Sequence, residues 1–374
     1  MVRFRLFATC ALVLATGSPV SSRATSRQAA PWKSTVIGSF AEPWALAFLP
    51  NNRILVTEKR GNLRIIDPAT KATGQVTGVP TVRYGGQGGF ADIALHPNYA
   101  ENNLVYVSYA EPGTGNQGGA AVARAKLVLN ANGGGALQDL KVIWRHTQMY
   151  SETGQYGQRL LFDADNSTLW ISSGERQRFD PAQDMKSNLG KIIRLKDDGT
   201  VPEGNPFNTS GGATAQIWAS GVRNPLGIDF DAEGRLWEIE MGPQGGDELN
   251  IIEKGANYGW PIVSEGRHYD GRTIPKHSAR PEFAAPKVAW VPVISPAGMI
   301  IYKGDLFPNW KGNALITALG AQGIVRVEIT GTTAREAQRI PMGRRMRCIR
   351  QTADGALWVL EDGAGGRLLK LTPS

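Results

Sequence analysis

Six stretches of the chain share one pattern: an apolar run, a turn built on Pro, Asp, Asn or Gly, then a second apolar run. They read ALAFLPNNRILVTE, DIALHPNYAENNLVYVSY, RLLFDADNSTLWISSG, GIDFDAEGRLWEIE, GMIIYKGDLFPNWKGNALITA and CIRQTADGALWVLE. The turn residues suit hairpins, and the second runs are rich in Leu, Val, Ile and Trp. Helical periodicity is scarce; one short helical turn is expected near Ala182 to Leu189. Recurrence at intervals of several tens of residues marks a repeat architecture. For hairpin units this points to an all-β fold, a β-propeller of six blades, within the usual ~4–8. STVIGSF near the start and GRLLKLTP at the end are expected to complete one blade jointly. A pair of β-sandwiches is the alternative, but it does not produce the regular recurrence.

Composition narrows the class. Of 374 residues, 41% are hydrophobic and 20% charged, a globular balance. Arg3 and Arg5 precede an apolar run from Leu6 to Ala15, and small residues follow to Ala24. This is the layout of a secretory signal peptide. The expected organisation is a signal peptide over 1–24, a linker over 25–35 and the propeller over 36–374, in a periplasmic or secreted protein. Cleavage would leave Cys348 as the single cysteine, with no internal disulfide. No other stretch suits a membrane span. The net charge of +8 is scattered apart from GRRMRCIR, and no nucleic-acid module accompanies it.

Polar clusters lie at the ends of the apolar runs, where propeller loops converge. GVRNP sets Arg223 and Asn224 before a run, suited to a planar acidic ligand. Arg345 and Arg347 are two apart and share a strand face. The Gly242-Pro243 turn with Glu240, Asp247 and Glu248 is compatible with a hard-cation site, or with a plain turn and solvated acids. His96, His146, His268 and His277 have no zinc spacing. His96 is expected to pack a turn, and Trp170, Trp237 and Trp358 to be core.

GQGGFADIALHP, GQRLLF, GKIIRLKDDGTVPEGNPF, IWASGVRNPLGIDFD, GPQGGDELNIIEKGANYGWP and RMRCIRQTADGALWVLED together resemble the soluble pyrroloquinoline-quinone (PQQ)-dependent sugar dehydrogenases of the glucose/sorbosone dehydrogenase family. The aldose dehydrogenase branch is the most similar, and the likeness runs from about Val36 to Leu371. It implies a six-bladed propeller that oxidises an aldose to the lactone with PQQ and calcium. It also implies an external electron acceptor and a monomer or homodimer. By this resemblance Arg223, Asn224, Arg345 and Arg347 hold the tricarboxylate quinone, three arginines facing a trianion. Gly242 and Pro243 offer carbonyls to the catalytic calcium, and Glu248 and Tyr258 match a second, structural calcium. Gln87 matches a substrate-side glutamine, and Glu175 the acid that orients the catalytic base.

Three positions depart from the family pattern. The general base, a histidine in the family, is Gln155; an expected lysine is Gly320; an expected hydroxyl residue is Val293. An amide is no base near neutral pH, and losing a general base costs ~10²–10⁴ in rate. Three readings follow. The first is a quinone-dependent dehydrogenase with another base, Glu175 first, then Tyr156 or a calcium-bound hydroxyl. The second is a non-redox lactonase- or lyase-like enzyme using calcium and Glu175. The third is a sugar- or quinone-binding protein without turnover.

Overall fold

The structure, a computed structural model, describes residues 30–163 and 168–374. The expected signal peptide lies outside the described residues. The first strand, Trp32–Ala41, begins ahead of Val36. No helix of the described residues is long and apolar enough to cross a membrane.

The chain is all-β. Four sheets have four strands each, and a fifth has eight. The eight-stranded sheet is two antiparallel halves joined along their outer edges by a short parallel pairing, Val76 with Gly135 and Thr77 with Ala136. The chain termini close one sheet as expected: Trp32–Ala41 pairs antiparallel with Ala364–Pro373, with Val36 opposite Leu369. The first strands of the repeats touch in a cycle: Pro43–Phe48, Phe90–Leu95, Gly157–Asp163, Pro225–Phe230, Pro296–Ile301, Met346–Gln351, and back to Pro43–Phe48.

The second runs are continuous rather than alternating because both of their faces are covered by neighbouring sheets. Thr168–Ser173, Leu236–Glu240, Ala314–Ala318 and Leu357–Glu361 are buried along their whole length. Fully burying one such Leu or Ile contributes about 1.5–3 kcal/mol. The outer strand Thr333–Pro341 is polar and largely open to solvent. Turn chemistry and core are tied together in the fourth repeat. Asp231 Oδ1 accepts from the backbone N–H groups of Glu233 and Arg235, while its Oδ2 accepts from buried Trp237 Nε1 at 2.7 Å. Trp170 and Trp358 are core as expected, and His96 Nδ1 accepts from the Asn98 backbone within a turn.

The short helical turn expected near Ala182 to Leu189 is a 3-10 turn placed slightly earlier, Asp180–Ala182. Its competitor is buried Lys191, whose ammonium donates to the carbonyls of Pro181, Ala182 and Leu189, taking acceptors that helical bonds would need.

Two features of the first strands shape the axis. Each carries a register shift at its start, between Pro43/Ala45, Phe90/Ile93, Gly157/Leu160, Pro225/Gly227, Pro296/Gly298 and Met346/Cys348. Such bulges twist a strand locally and re-aim its side chains, here at one end of every sheet. Below them the axis is plugged. The Arg159 guanidinium lies 3.9 Å from the Trp44 ring centre and donates to the carbonyls of Leu226, Ala297 and Arg347. The Asp92 carboxylate lies 3.5 Å from Arg159 and 3.2 Å from Arg350. Gly298 leaves room for the guanidinium: a Cβ there would meet the Arg347 carbonyl at 3.2 Å and Arg159 Nη2 at 3.3 Å.

Candidate active site

Above the plug, where first strands begin and second strands end, two cavities share Gln87, Met241 and Ser295 and form one two-lobed site. The inner lobe, of about 300 Å³, is lined by Glu42, Trp44, Lys59, Tyr156, Leu319, Arg345, Arg347 and Asp362 among others. The outer lobe, of about 770 Å³, is lined by Gln155, Gln177, Arg223, Asn224, Gly242, Pro243, Asp247, Tyr269 and Val293 among others. A larger hollow of about 930 Å³ near His96, Tyr99 and Trp358 contains none of these arginines.

Most of the residues singled out in the sequence meet here. Gln87 Oε1 accepts from the Gln155 backbone N–H at 2.8 Å and from Asn224 Nδ2 at 3.4 Å. Asn224 Oδ1 in turn accepts from the Gly157 N–H at 3.2 Å. Three repeats are thereby locked at the floor of the site. Arg345 and Arg347 do share a face: each donates to Asp362, at 2.8 Å, on opposite carboxylate oxygens. Arg223 is set apart from that pair. It lines the outer lobe, donates to the carbonyls of Met241 and Gly242, and stacks 5.1 Å from the Trp260 ring centre.

Glu175 lines neither lobe. It is fully buried, one carboxylate oxygen accepts from the backbone N–H groups of Arg178 and Phe179, and the other has no partner. Burial raises its pKa, against the pull of those N–H groups and of Arg223. The two residues after it hold Gln155: the Gln155 carbonyl accepts from the Arg176 N–H and its Oε1 accepts from the Gln177 N–H. The backbone here is strained. Gln155, Gln158, Arg176, Gln177 and Phe179 all have φ between 53° and 79°, a cluster of left-handed non-glycine residues of the kind that collects at functional sites.

Lys59, Asp362, Trp44 and Ser295 were not singled out in the sequence. Aligning the repeats on their second runs would have found two of them. The residue just after the run is Lys59, Met241, Leu319 or Asp362 in four repeats, and all four line the inner lobe. Gly320 lies one position further on and lines neither lobe. A Cβ there would meet Ser295 Oγ at 2.8 Å.

The electrostatics of the lobes differ. Burial, and then Arg347, lower the Lys59 pKa. Burial pushes the Asp362 carboxyl up, but Arg347 and Arg345 overcome it and hold it below the usual range. On the outer side, burial pushes Asp247 up to about 6 and Glu240 up to about 7, against the backbone N–H groups each accepts. Glu240 pairs directly across the sheet with Glu248, and both, with Glu238, are buried with raised pKa values. Carboxylates this close do not all stay ionised without a cation.

This donor set can be tested against a planar polyanion and a hard cation. In the inner lobe three cations face two carboxylates beside the rings of Trp44 and Tyr156, which fits a flat anion. In the outer lobe the Met241 and Gly242 carbonyls already converge on a cationic group, the Arg223 guanidinium, so that turn suits positive charge. Glu248 and Tyr258 line a separate void of about 10 Å³ with Glu240 and Pro243, close to the space of one small ion or water. Among the described residues no three His, Cys, Asp or Glu side chains converge as metal ligands, so carbonyls would have to complete either cation site.

Comparison with known proteins gives this geometry a context. Residues 40–370 match the model of the Glucose / Sorbosone dehydrogenase family. The aldose sugar dehydrogenase YliI of Escherichia coli (strain K12) is 37% identical over 339 residues, covering 88% of this chain and 90% of that protein. The crystal structure of the soluble aldose sugar dehydrogenase from Escherichia coli in the apo-form superposes with a TM-score of 0.85 at 35% identity, covering 92% of this chain and all of that one. The PQQ-bound form of the aldose sugar dehydrogenase from Streptomyces coelicolor superposes with a TM-score of 0.71 at 25% identity, again over 92% of this chain and all of that one. The matched span takes in both lobes of the site and the plug beneath them, and the chain belongs to the glucose/sorbosone dehydrogenase family.

Proposed function

We propose that this chain is a PQQ- and calcium-dependent aldose dehydrogenase built as a six-bladed propeller, which oxidises the anomeric carbon of a sugar to the lactone outside the cytoplasm. The observation that carries this reading is the inner lobe, an aromatic-walled chamber in which Lys59, Arg345 and Arg347 outnumber the carboxylates. Arg345, Arg347 and Asn224 would hold the quinone from its sides. Arg223 would exchange its carbonyl contacts for it, freeing the Gly242 and Pro243 turn for calcium. Glu248 and Tyr258 would hold the second, structural ion. When bound, the quinone supplies the acceptor for the two electrons that leave the sugar with the C1 hydride, and an external acceptor removes them later.

The chain's own residues orient the sugar and manage its proton. Gln87 and Gln155 are placed to hold hydroxyl groups, each fixed by the other's backbone or side chain. The plug of Arg159, Asp92 and Arg350 closes the axis beneath the chamber and limits water to the outer mouth. Lactone formation also removes the proton of the anomeric hydroxyl, which the Gln155 amide cannot accept. Glu175, which has one unpartnered carboxylate oxygen and whose neighbours Arg176 and Gln177 hold Gln155, is the proposed final acceptor, reached through a relay because it lines neither lobe. Its raised pKa favours proton uptake.

A dye-linked assay with and without PQQ and calcium tests the reading. Aldose oxidation that requires both is the expected outcome. Glu175→Gln should lower kcat by about 10²-fold or more with little change in quinone affinity. Unchanged kcat would remove Glu175 as the acceptor. Turnover of a lactone or glycoside without quinone, or binding without turnover, would replace the dehydrogenase reading.

A further inference from the structure

The inner lobe contains one cation whose charge the protein leaves open. Arg345 and Arg347 share Asp362. Glu42, the other carboxylate of the lobe, pairs with Arg60 and accepts from Tyr84. Lys59 has no carboxylate within ion-pair distance among the described residues; its ammonium donates to the Gly86 carbonyl at 2.9 Å and leaves two N–H groups over. Its backbone is clamped on both sides, the N–H donating to the Glu42 carbonyl at 3.0 Å and the carbonyl accepting from Phe90 at 2.9 Å. The side chain is therefore aimed into the lobe from a fixed base. The fifth repeat presents Leu319 to the lobe, followed by Gly320, which has no side chain to offer and would place a Cβ 2.8 Å from Ser295 Oγ.

We propose that Lys59 anchors a carboxylate of the planar anion in the inner lobe, so that the first repeat supplies the cation the fifth repeat lacks. This rests on the quinone reading above. The ammonium and the two arginines enclose the lobe from two adjacent repeats. A carboxylate between them completes the charge that Asp362 neutralises only in part. An ammonium is a compact point charge, so Lys59 selects for charge where the arginines select for planarity.

The test measures binding, not turnover. PQQ is titrated in calcium into the wild type, Lys59→Gln, Lys59→Arg and the surface control Lys311→Gln, with melting temperatures recorded for each. In parallel, the wild type is labelled with an amine-reactive reagent, alone, with PQQ and with gluconate, and Lys59 labelling is read by mass spectrometry. The expected result is a loss of affinity of about ten-fold or more in Lys59→Gln. Lys59→Arg and Lys311→Gln should bind near wild type, and PQQ, not gluconate, should protect Lys59. If the wild type binds PQQ while Lys59 stays fully labelled, the inference falls and the quinone reading stands, whatever the variants do. Protection by gluconate in place of PQQ would assign the lobe to an acidic sugar and overturn the inference. No saturable PQQ binding by the wild type would remove the quinone reading and this inference with it.

Discussion

The plug and the inner lobe use the same strands and the same kinds of residue, a few ångströms apart along one axis, and differ in what satisfies their charges. In the plug, the Arg159 guanidinium is met by three carbonyls, an aromatic face and Asp92, and Asp92 by Arg159, Arg350 and the Leu160 N–H. In the lobe, three cations share two carboxylates, one of which is already committed to Arg60. A buried charge network that closes on itself is architecture. One that is left short of counter-charge, in a chamber wide enough for a ligand, is a site.

Breaking the plug should have the largest effect. Asp92→Asn leaves Arg159 buried without its counter-charge and should destabilise the fold by about 3–5 kcal/mol, read by urea or thermal unfolding. Arg347→Gln, in the open network, should behave in the opposite way. Its stability should fall by less than that, because Asp362 keeps Arg345 as its partner, while PQQ affinity falls by about 10²-fold. Equal destabilisation by both variants would erase the distinction between the two regions.

Gly320→Lys sharpens the same contrast. It should destabilise by about 1–3 kcal/mol through overpacking against Ser295, and Ser295→Gly in the same chain should recover most of that loss. The smallest effect concerns His146, a buried side chain just beyond the strand Gly135–Arg145 of the eight-stranded sheet. Its Nδ1 accepts from the Ala120 N–H at 3.1 Å, and burial, then Arg176, keep its pKa well below the ordinary value. The unfolded chain binds this proton first, so stability is intact above the unfolded pKa and is lost as pH falls below about 6.5. The slope is at most about 1.4 kcal/mol per pH unit. His146→Gln should flatten that limb of a stability-against-pH curve.

Much of the fold was legible because it is local. The turn after ALAF or GIDF and the continuous apolar second run specify a hairpin within some fifteen residues, and recurrence did the rest. Closure by the termini was legible because STVIGSF and GRLLKLTP each lacked a partner. The helical turn near Ala182 stops at Asp180–Ala182 because Lys191, beyond its end, takes the carbonyls of Pro181, Ala182 and Leu189. The site was legible only where a motif carried it, as in GVRNP and RMR. Lys59 and Asp362 lie more than 300 residues apart in sequence, and only their shared place just after the second run of a repeat marks them as neighbours. Glu175 could be named from its motif, but its full burial depends on the turn through Arg178 and Phe179, which no composition reveals.

The central claim is that the open lobe holds a quinone through which this chain oxidises a sugar. Its most direct test is a single-turnover experiment: purified protein is saturated with PQQ in calcium, mixed with excess aldose without an external acceptor, and followed by absorbance. The account predicts saturable binding, then reduction of the bound quinone matched mole for mole by lactone. Bound quinone that stays oxidised in the presence of a range of aldoses would contradict it.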